Sequence, residues 1–169
     1  LIKNSELNIS SIKNLSNYFI DYIKKPQRYL HFEDDLYIGV DMNTNMHYIC
    51  YKDIVMFDID DQKLEDISLK SNDSYLIYKS NNGFHIFLTN RRIDYDSDEC
   101  INYMIDMKTD IKYIICTHLR GYSVRLNKKK ETETIYELVH EHNKHLADKD
   151  IVDLINIHIL FAEQFWNVV

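Results

Sequence analysis

An α+β fold with a mixed or antiparallel sheet is what this sequence predicts, and three observations predict it. Apolar runs of strand length recur between Leu36 and Val139, two of them joined as a hairpin by Ser80-Asn81-Asn82-Gly83. Segments with helical spacing flank this strand-rich middle at both ends of the chain. The strands come as hairpins instead of alternating one by one with helices, which disfavours a doubly wound parallel sheet.

Each element has a local cause. From Asn8 to Lys25, apolar residues at Ile9, Ile12, Leu15, Tyr18, Phe19, Tyr22 and Ile23 repeat with helical spacing, and Pro26 closes the segment. Strands are expected at Leu36–Val40, Tyr48–Tyr51 and Ile54–Asp60, the first two separated by the turn residues Asn43-Thr44-Asn45. Gln62 to Lys70 reads as a weak helix or a loop. Tyr75–Tyr78 and Phe84–Leu88 make the hairpin. Ser97 or Asp98 caps a short helix reaching Met107, and Thr109 or Asp110 caps a second that Gly121 stops after Leu119. Tyr122–Leu126 and Thr134–Val139 read as two further strands, and Asp150 to Trp166 as an apolar terminal helix. No internal repeat or linker divides the chain, so the expectation is a single domain over residues 1–169 with its core at about 35–140. The chain opens without Met and closes on an apolar helix, which suggests a piece of a longer protein.

Composition narrows the function. With 45% hydrophobic and 28% charged residues in 169, the chain can fill one globular core. No apolar run approaches the roughly 20 residues a membrane helix needs, so no membrane partner is expected. The three cysteines, Cys50, Cys100 and Cys116, are far apart and form no CxxC pair. That argues for an intracellular, reducing compartment and against a disulfide framework or a zinc site. A net charge of −7 argues against a blanket nucleic-acid surface, although Arg91-Arg92 and the segment Arg120 to Lys130 are locally basic.

The chemistry concentrates in four places. Val55-Met56-Phe57-Asp58-Ile59-Asp60 is an apolar strand ending in two acids at i, i+2. On a strand these carboxylates share a face about 7 Å apart, and a hard divalent cation such as Mg²⁺ or Mn²⁺ would relieve their repulsion, usually with phosphates completing its shell. In Lys79-Ser80-Asn81-Asn82-Gly83-Phe84-His85, Gly83 allows a tight turn or a close approach, while Ser80 and His85 can hydrogen-bond phosphate oxygens. In Arg120-Gly121-Tyr122-Ser123-Val124-Arg125-Leu126-Asn127-Lys128, Ser123 and Arg125 share a face, a cation suited to a triphosphate if the strand is central. Asp110 serves as a helix cap or as a third carboxylate for two-metal phosphoryl or nucleotidyl transfer. Taken singly, each has a plainer reading: a solvated strand end, a structural histidine, an edge arginine, a cap.

In this order the motifs resemble the archaeo-eukaryotic primase (primase-polymerase) superfamily. The matches are VMFDID with Asp58 and Asp60, SNNGFH with Ser80 and His85, Asp110, and RGYSVRLNKK with Arg125 and Lys128. The wording around both strands is similar to primase domains of large DNA viruses and their relatives, over roughly residues 35–130. The resemblance implies an RRM-like catalytic core flanked by N- and C-terminal helices, working as a DNA primase or primase-polymerase in replication. It also implies a single-stranded DNA template, NTP or dNTP substrates and a helicase domain or partner. By the same resemblance, Asp58, Asp60 and Asp110 would hold Mg²⁺ or Mn²⁺, and Ser80, His85, Arg125 and Lys128 the nucleotide phosphates.

Two other functions compete. An apolar strand ending in D-x-D also begins haloacid-dehalogenase-like phosphatases, but Gln62 stands where they carry Thr or Val, and Asp148-Lys149-Asp150 precedes a helix instead of ending a strand. An inactive nucleic-acid-binding or assembly domain would use the basic clusters alone, yet uncompensated acids beside them would repel phosphate.

Overall fold

Asn8 sets the first helix. Its side chain accepts from the Ser11 amide and the Ser11 hydroxyl accepts from the Asn8 amide, both at 2.9 Å, a reciprocal cap for α1, Ile9–Phe19. The computed structural model describes residues 6–20, 28–33, 36–41, 46–126 and 137–168, so the predicted continuation of this helix to Lys25 lies outside the described residues. Strands β1 (Arg28–Glu33), β2 (Leu36–Asp41) and β3 (Met46–Tyr51) follow, then β4 (Met56–Asp60), β5 (Tyr75–Lys79) and β6 (Gly83–Leu88). A single 3₁₀ turn at Leu64–Asp66 is all the regular structure between β4 and β5.

Ser97 caps α2 (Asp98–Asp106) by accepting from the Cys100 amide at 3.1 Å, and Asp110 caps α3 (Ile111–Arg120). Gly121, at φ +101°, ends α3 where the chain turns into β7 (Tyr122–Arg125). Strand β8 is described over Glu137–His142, and the predicted start at Thr134 lies outside the described residues. The last helix, α4 (Lys149–Val168), is capped by Asp148, whose carboxylate accepts from the Asp150 amide at 2.8 Å.

Among the described residues these elements form an α+β fold with four helices and two antiparallel sheets, ordered β1-β2-β3-β7 and β4-β6-β5-β8. Strand β1 was not expected. Its charged residues Arg28, His31 and Glu33 break the apolar run, and pairing with β2 supplies what local preference does not. Among the described residues β7 is an outer strand of its sheet, where a central strand was expected to carry Arg125.

The second sheet positions the chemistry. Its register aligns Asp58 with His85 and His85 with Tyr78, placing these three on one face with Met56, Leu76 and Phe87. Phe57, Ile59, Tyr75, Ile77, Ile86 and Leu88 take the opposite face and are buried in the core. Helix α2 covers that second face: Tyr103 packs on Phe57 at 4.9 Å between ring centroids, and its hydroxyl meets that of Tyr75. Helix α4 lies over the Asp58 face, with His158 against the edge of Phe87.

A buried polar network ties down the end of this sheet where β5 begins. Asp73 is 6% exposed and accepts from the Tyr103 hydroxyl at 2.5 Å, Asn90 Nδ2 at 2.9 Å and Arg91 Nε at 3.2 Å. Arg91 also reaches Glu99, and Asn143 Nδ2 donates to the carbonyls of Ser71 and Asp73. Burial opposes ionisation of Asp73, but the hydrogen bonds from Tyr103, Arg91 and Asn90 outweigh it and hold the carboxyl below its ordinary range. No helix among the described residues is long and apolar enough to cross a membrane.

Candidate active site at the end of β4

Strand β4 leaves the core as it runs. Met56 and Phe57 are buried, Asp58 is partly exposed, Ile59 is buried and Asp60 is exposed. The strand then ends at Asp61, whose φ of 57° is left-handed, a conformation that Asp tolerates better than most residues. The two acids predicted to share a face do so, and the neighbouring strand brings His85 to them. His85 Nε2 stands 3.6 Å from Asp58 Oδ1, beyond a direct hydrogen bond, and both side chains keep about a quarter of their surface in solvent.

The hairpin tip closes beside Asp60. The Ser80 amide donates to the Gly83 carbonyl at 2.9 Å, and the Asp61 amide donates to the Asn82 carbonyl at 2.8 Å, which carries the β4–β6 ladder to its end. Gly83 is the register partner of Asp60, so β6 offers no side chain there. A Cβ on Gly83 would meet the Ile59 carbonyl oxygen at 1.8 Å, so the approach of β6 to β4 requires glycine. The Ser80 hydroxyl is buried with no hydrogen-bond partner among the described residues, an unmet need in a polar turn.

Helix α3 begins at the same place. The Asp110 amide donates to the Asp58 carbonyl at 2.9 Å, so the backbone at Asp110 is fixed directly beside the β4 acids. Its carboxylate is exposed and accepts from the Tyr113 amide at 3.2 Å, which makes it the helix cap in fact. Tyr113 lies between this helix start and the other sheet, its hydroxyl donating to the Ser123 carbonyl at 3.3 Å. Burial, and then the charge of Asp58, push that hydroxyl well above its ordinary range. Tyr78 is likewise pushed up to about 12, by burial and then by Glu141.

Arg125 sits on β7 opposite Tyr48, in the other sheet, and Arg120 lies over the same tyrosine ring at 4.9 Å. Lys128 lies outside the described residues. Asp58, Asp60, Ser80 and His85 are therefore gathered at one sheet end, Asp110 joins them through its backbone, and Arg125 is linked to them through α3. Among the described residues there is no group of three or more His, Cys, Asp or Glu side chains able to hold a metal ion. A cation here would rest on Asp58 and Asp60, hard oxygen donors of the kind Mg²⁺ and Mn²⁺ accept, with phosphates or water filling the shell.

Sequence reasoning missed Tyr78, Tyr113 and His158. Tyr78 had a signal, since it lies two residues before Ser80 and so shares the strand parity of the hairpin pair. The other two had none, because their places depend on how α3 and α4 dock. No protein-family model, no curated protein and no solved structure matches the chain.

Proposed function

We propose that this chain is a metal-dependent nucleotidyltransferase, a primase or primase-polymerase that extends a DNA-templated chain from NTPs or dNTPs. The observation that carries the reading is the register match of Asp58 with His85. It joins two motifs that lie 27 residues apart in the chain (85 − 58) into one polar surface where carboxylate and imidazole are both partly exposed. An acid pair for a cation and an imidazole donor for a phosphate are what phosphoryl-type transfer requires within one ligand's length.

In this reading Asp58 and Asp60 hold Mg²⁺ or Mn²⁺, which when bound lowers the pKa of the attacking 3′-hydroxyl and stabilises charge on the departing pyrophosphate. His85 donates to a phosphate oxygen of the incoming nucleotide, and the Ser80 hydroxyl finds its acceptor there. Gly83 lets β6 approach β4 closely beside Asp60. Arg125 would meet the phosphates from β7, with Lys128 as the second expected cation, while Asp110 contributes its exposed carboxylate from the α3 cap. The sheet β4-β6-β5-β8 with α2 and α3 would be the RRM-like core, and a single-stranded DNA template the partner. Asp148, engaged as the α4 cap, is not available as the downstream acid of a dehalogenase-like phosphatase.

The test is primer extension on a primed template with dNTPs and Mn²⁺ or Mg²⁺. Extension by the intact chain, lost in Asp58→Asn and Asp60→Asn, is expected. Phosphate release from a small ester without extension would establish the phosphatase instead. DNA binding indifferent to metal and to both substitutions, again without extension, would establish a binding or assembly domain.

A further inference from the structure

One buried histidine stands behind the site and is unused by the reaction above. His158 lies midway along α4 and is 2% exposed, in a stripe with Ile151, Ile155 and Ala162, all buried and apolar. Hydrocarbon would fill that slot at no desolvation cost, whereas an imidazole must find partners to be tolerated. It has one in the other sheet: the Tyr51 hydroxyl lies 2.6 Å from His158 Nδ1, and the two rings stack at 5.6 Å with 20° between their planes. Tyr51 is itself buried, at the last position of β3.

The His158 ring also meets an aromatic side chain of the site's face. Its centroid is 6.4 Å from that of Phe87 at 74°, an edge-on contact, and Phe87 also makes an edge-on contact with Tyr78 at 5.9 Å. Phe87 and His85 are two residues apart on β6, so they present to the same face, and Tyr78 is the β5 register partner of His85. The aromatic wall around His85 is thus built from Tyr78 and Phe87, and His158 fixes that wall from behind. Burial, and then the nearness of His85, hold the His158 imidazole down at about 3, so it is neutral at any ordinary pH and keeps one ring nitrogen as an acceptor.

We propose that His158, held by Tyr51, is a positioning residue for His85, fixing the orientation in which the His85 imidazole meets a nucleotide phosphate. Its effect on binding rests on the nucleotidyl-transfer reading; its effect on the His85 ring does not. The pair also makes α4 part of the site although none of its side chains need touch substrate.

The experiment uses the full chain and three variants: Tyr51→Phe, which removes one hydroxyl, His158→Phe, which removes both ring nitrogens, and His158→Asn, which returns a polar atom near the Nδ1 position. Two quantities are read, the ¹H–¹⁵N ring resonances of His85 and the dNTP dependence of primer extension. We expect the His85 resonances to shift in Tyr51→Phe and His158→Phe. We expect KM for dNTP to rise about tenfold with kcat within about twofold, the effect of losing one held hydrogen-bonding orientation, and His158→Asn to recover most of both. Unmoved His85 resonances in folded variants would overturn the proposal. So would KM, kcat and thermal midpoint falling together without recovery in His158→Asn, the pattern of a merely structural histidine. If the unaltered chain extends no primer, the nucleotidyl-transfer reading fails separately, and the His85 resonances alone decide whether His158 positions that ring.

Discussion

Asp73 and Asp58 occupy opposite ends of one sheet and show how differently a fold can treat a carboxylate. Asp73 is buried at the β5 start and is met by a phenol, an amide and a guanidinium, with Arg91 bridging onward to Glu99. Asp58, at the other end and on the other face, keeps a quarter of its side chain in solvent beside an imidazole at 3.6 Å, with a second acid two residues along. A carboxylate saturated by fixed donors holds loops together and has little left to offer a ligand. One that stays partly exposed at a strand end, with a second acid two residues along, stands where solvent and a cation can reach it. Burial and donor supply separate the two roles more sharply than residue type does.

The same substitution at both positions tests that contrast. Asp58→Asn or Asp60→Asn should cut primer extension about a thousandfold, the scale of losing a charge that acts in the transition state. The thermal midpoint should change far less than the activity, because both side chains are at least partly exposed. Unchanged extension would break the comparison from the functional side. Gly83→Ala comes next: its Cβ would have to displace the Ile59 carbonyl, which should cost about 3 kcal/mol on the scale of overpacking and misalign the acids. A variant as stable and active as the parent would mean that β6 does not need its close approach.

Asp73→Asn should behave in the opposite way to Asp58→Asn, losing about 2 kcal/mol of stability in urea titrations while catalysis in the folded fraction is kept. Its pH dependence carries a definite sign. The Asp73 carboxyl is depressed in the fold, so its stabilisation is present above the unfolded value near 4 and is lost as pH falls through the folded value. The variant should therefore lose less stability than the parent between about pH 5 and pH 2, and parallel curves would refute the assignment. The smallest effect expected is at Asp110. Asn also caps helices, so Asp110→Asn should leave stability within about 0.5 kcal/mol while lowering extension about tenfold through the lost charge. Full activity in that variant would leave Asp110 a cap alone.

The parts of this molecule that sequence discloses are those governed by local rules. Alternation put Asp58 and Asp60 on one face, Ser80 to Gly83 made the turn, and the cap pairs Ser97 or Asp98 and Thr109 or Asp110 marked two helix starts, of which the structure uses Ser97 and Asp110. What stayed hidden depends on partners distant in the chain. Tyr103 reaches Asp73 across 30 residues, and Tyr51 reaches His158 across 107. Strand parity says which side chains travel together but not which sheet a strand joins, and for that reason the place of Arg125 on an outer strand of the other sheet was not legible. The polar sequence of β1 hid it in the same way, since its pairing with β2 lies outside any local window.

One hydrogen bond has a consequence for how this protein behaves in a crowd. Strand β4 is the outer strand of its sheet among the described residues, and an outer strand with free backbone groups invites another chain to add to it. The Asp110 amide occupies the Asp58 carbonyl, the left-handed Asp61 stops the strand, and two acids charge its last three residues. The features proposed to serve a small anionic ligand with its cation are thus the ones that close this edge to a neighbouring β-strand. Solubility and the proposed chemistry would then be guarded by the same few atoms.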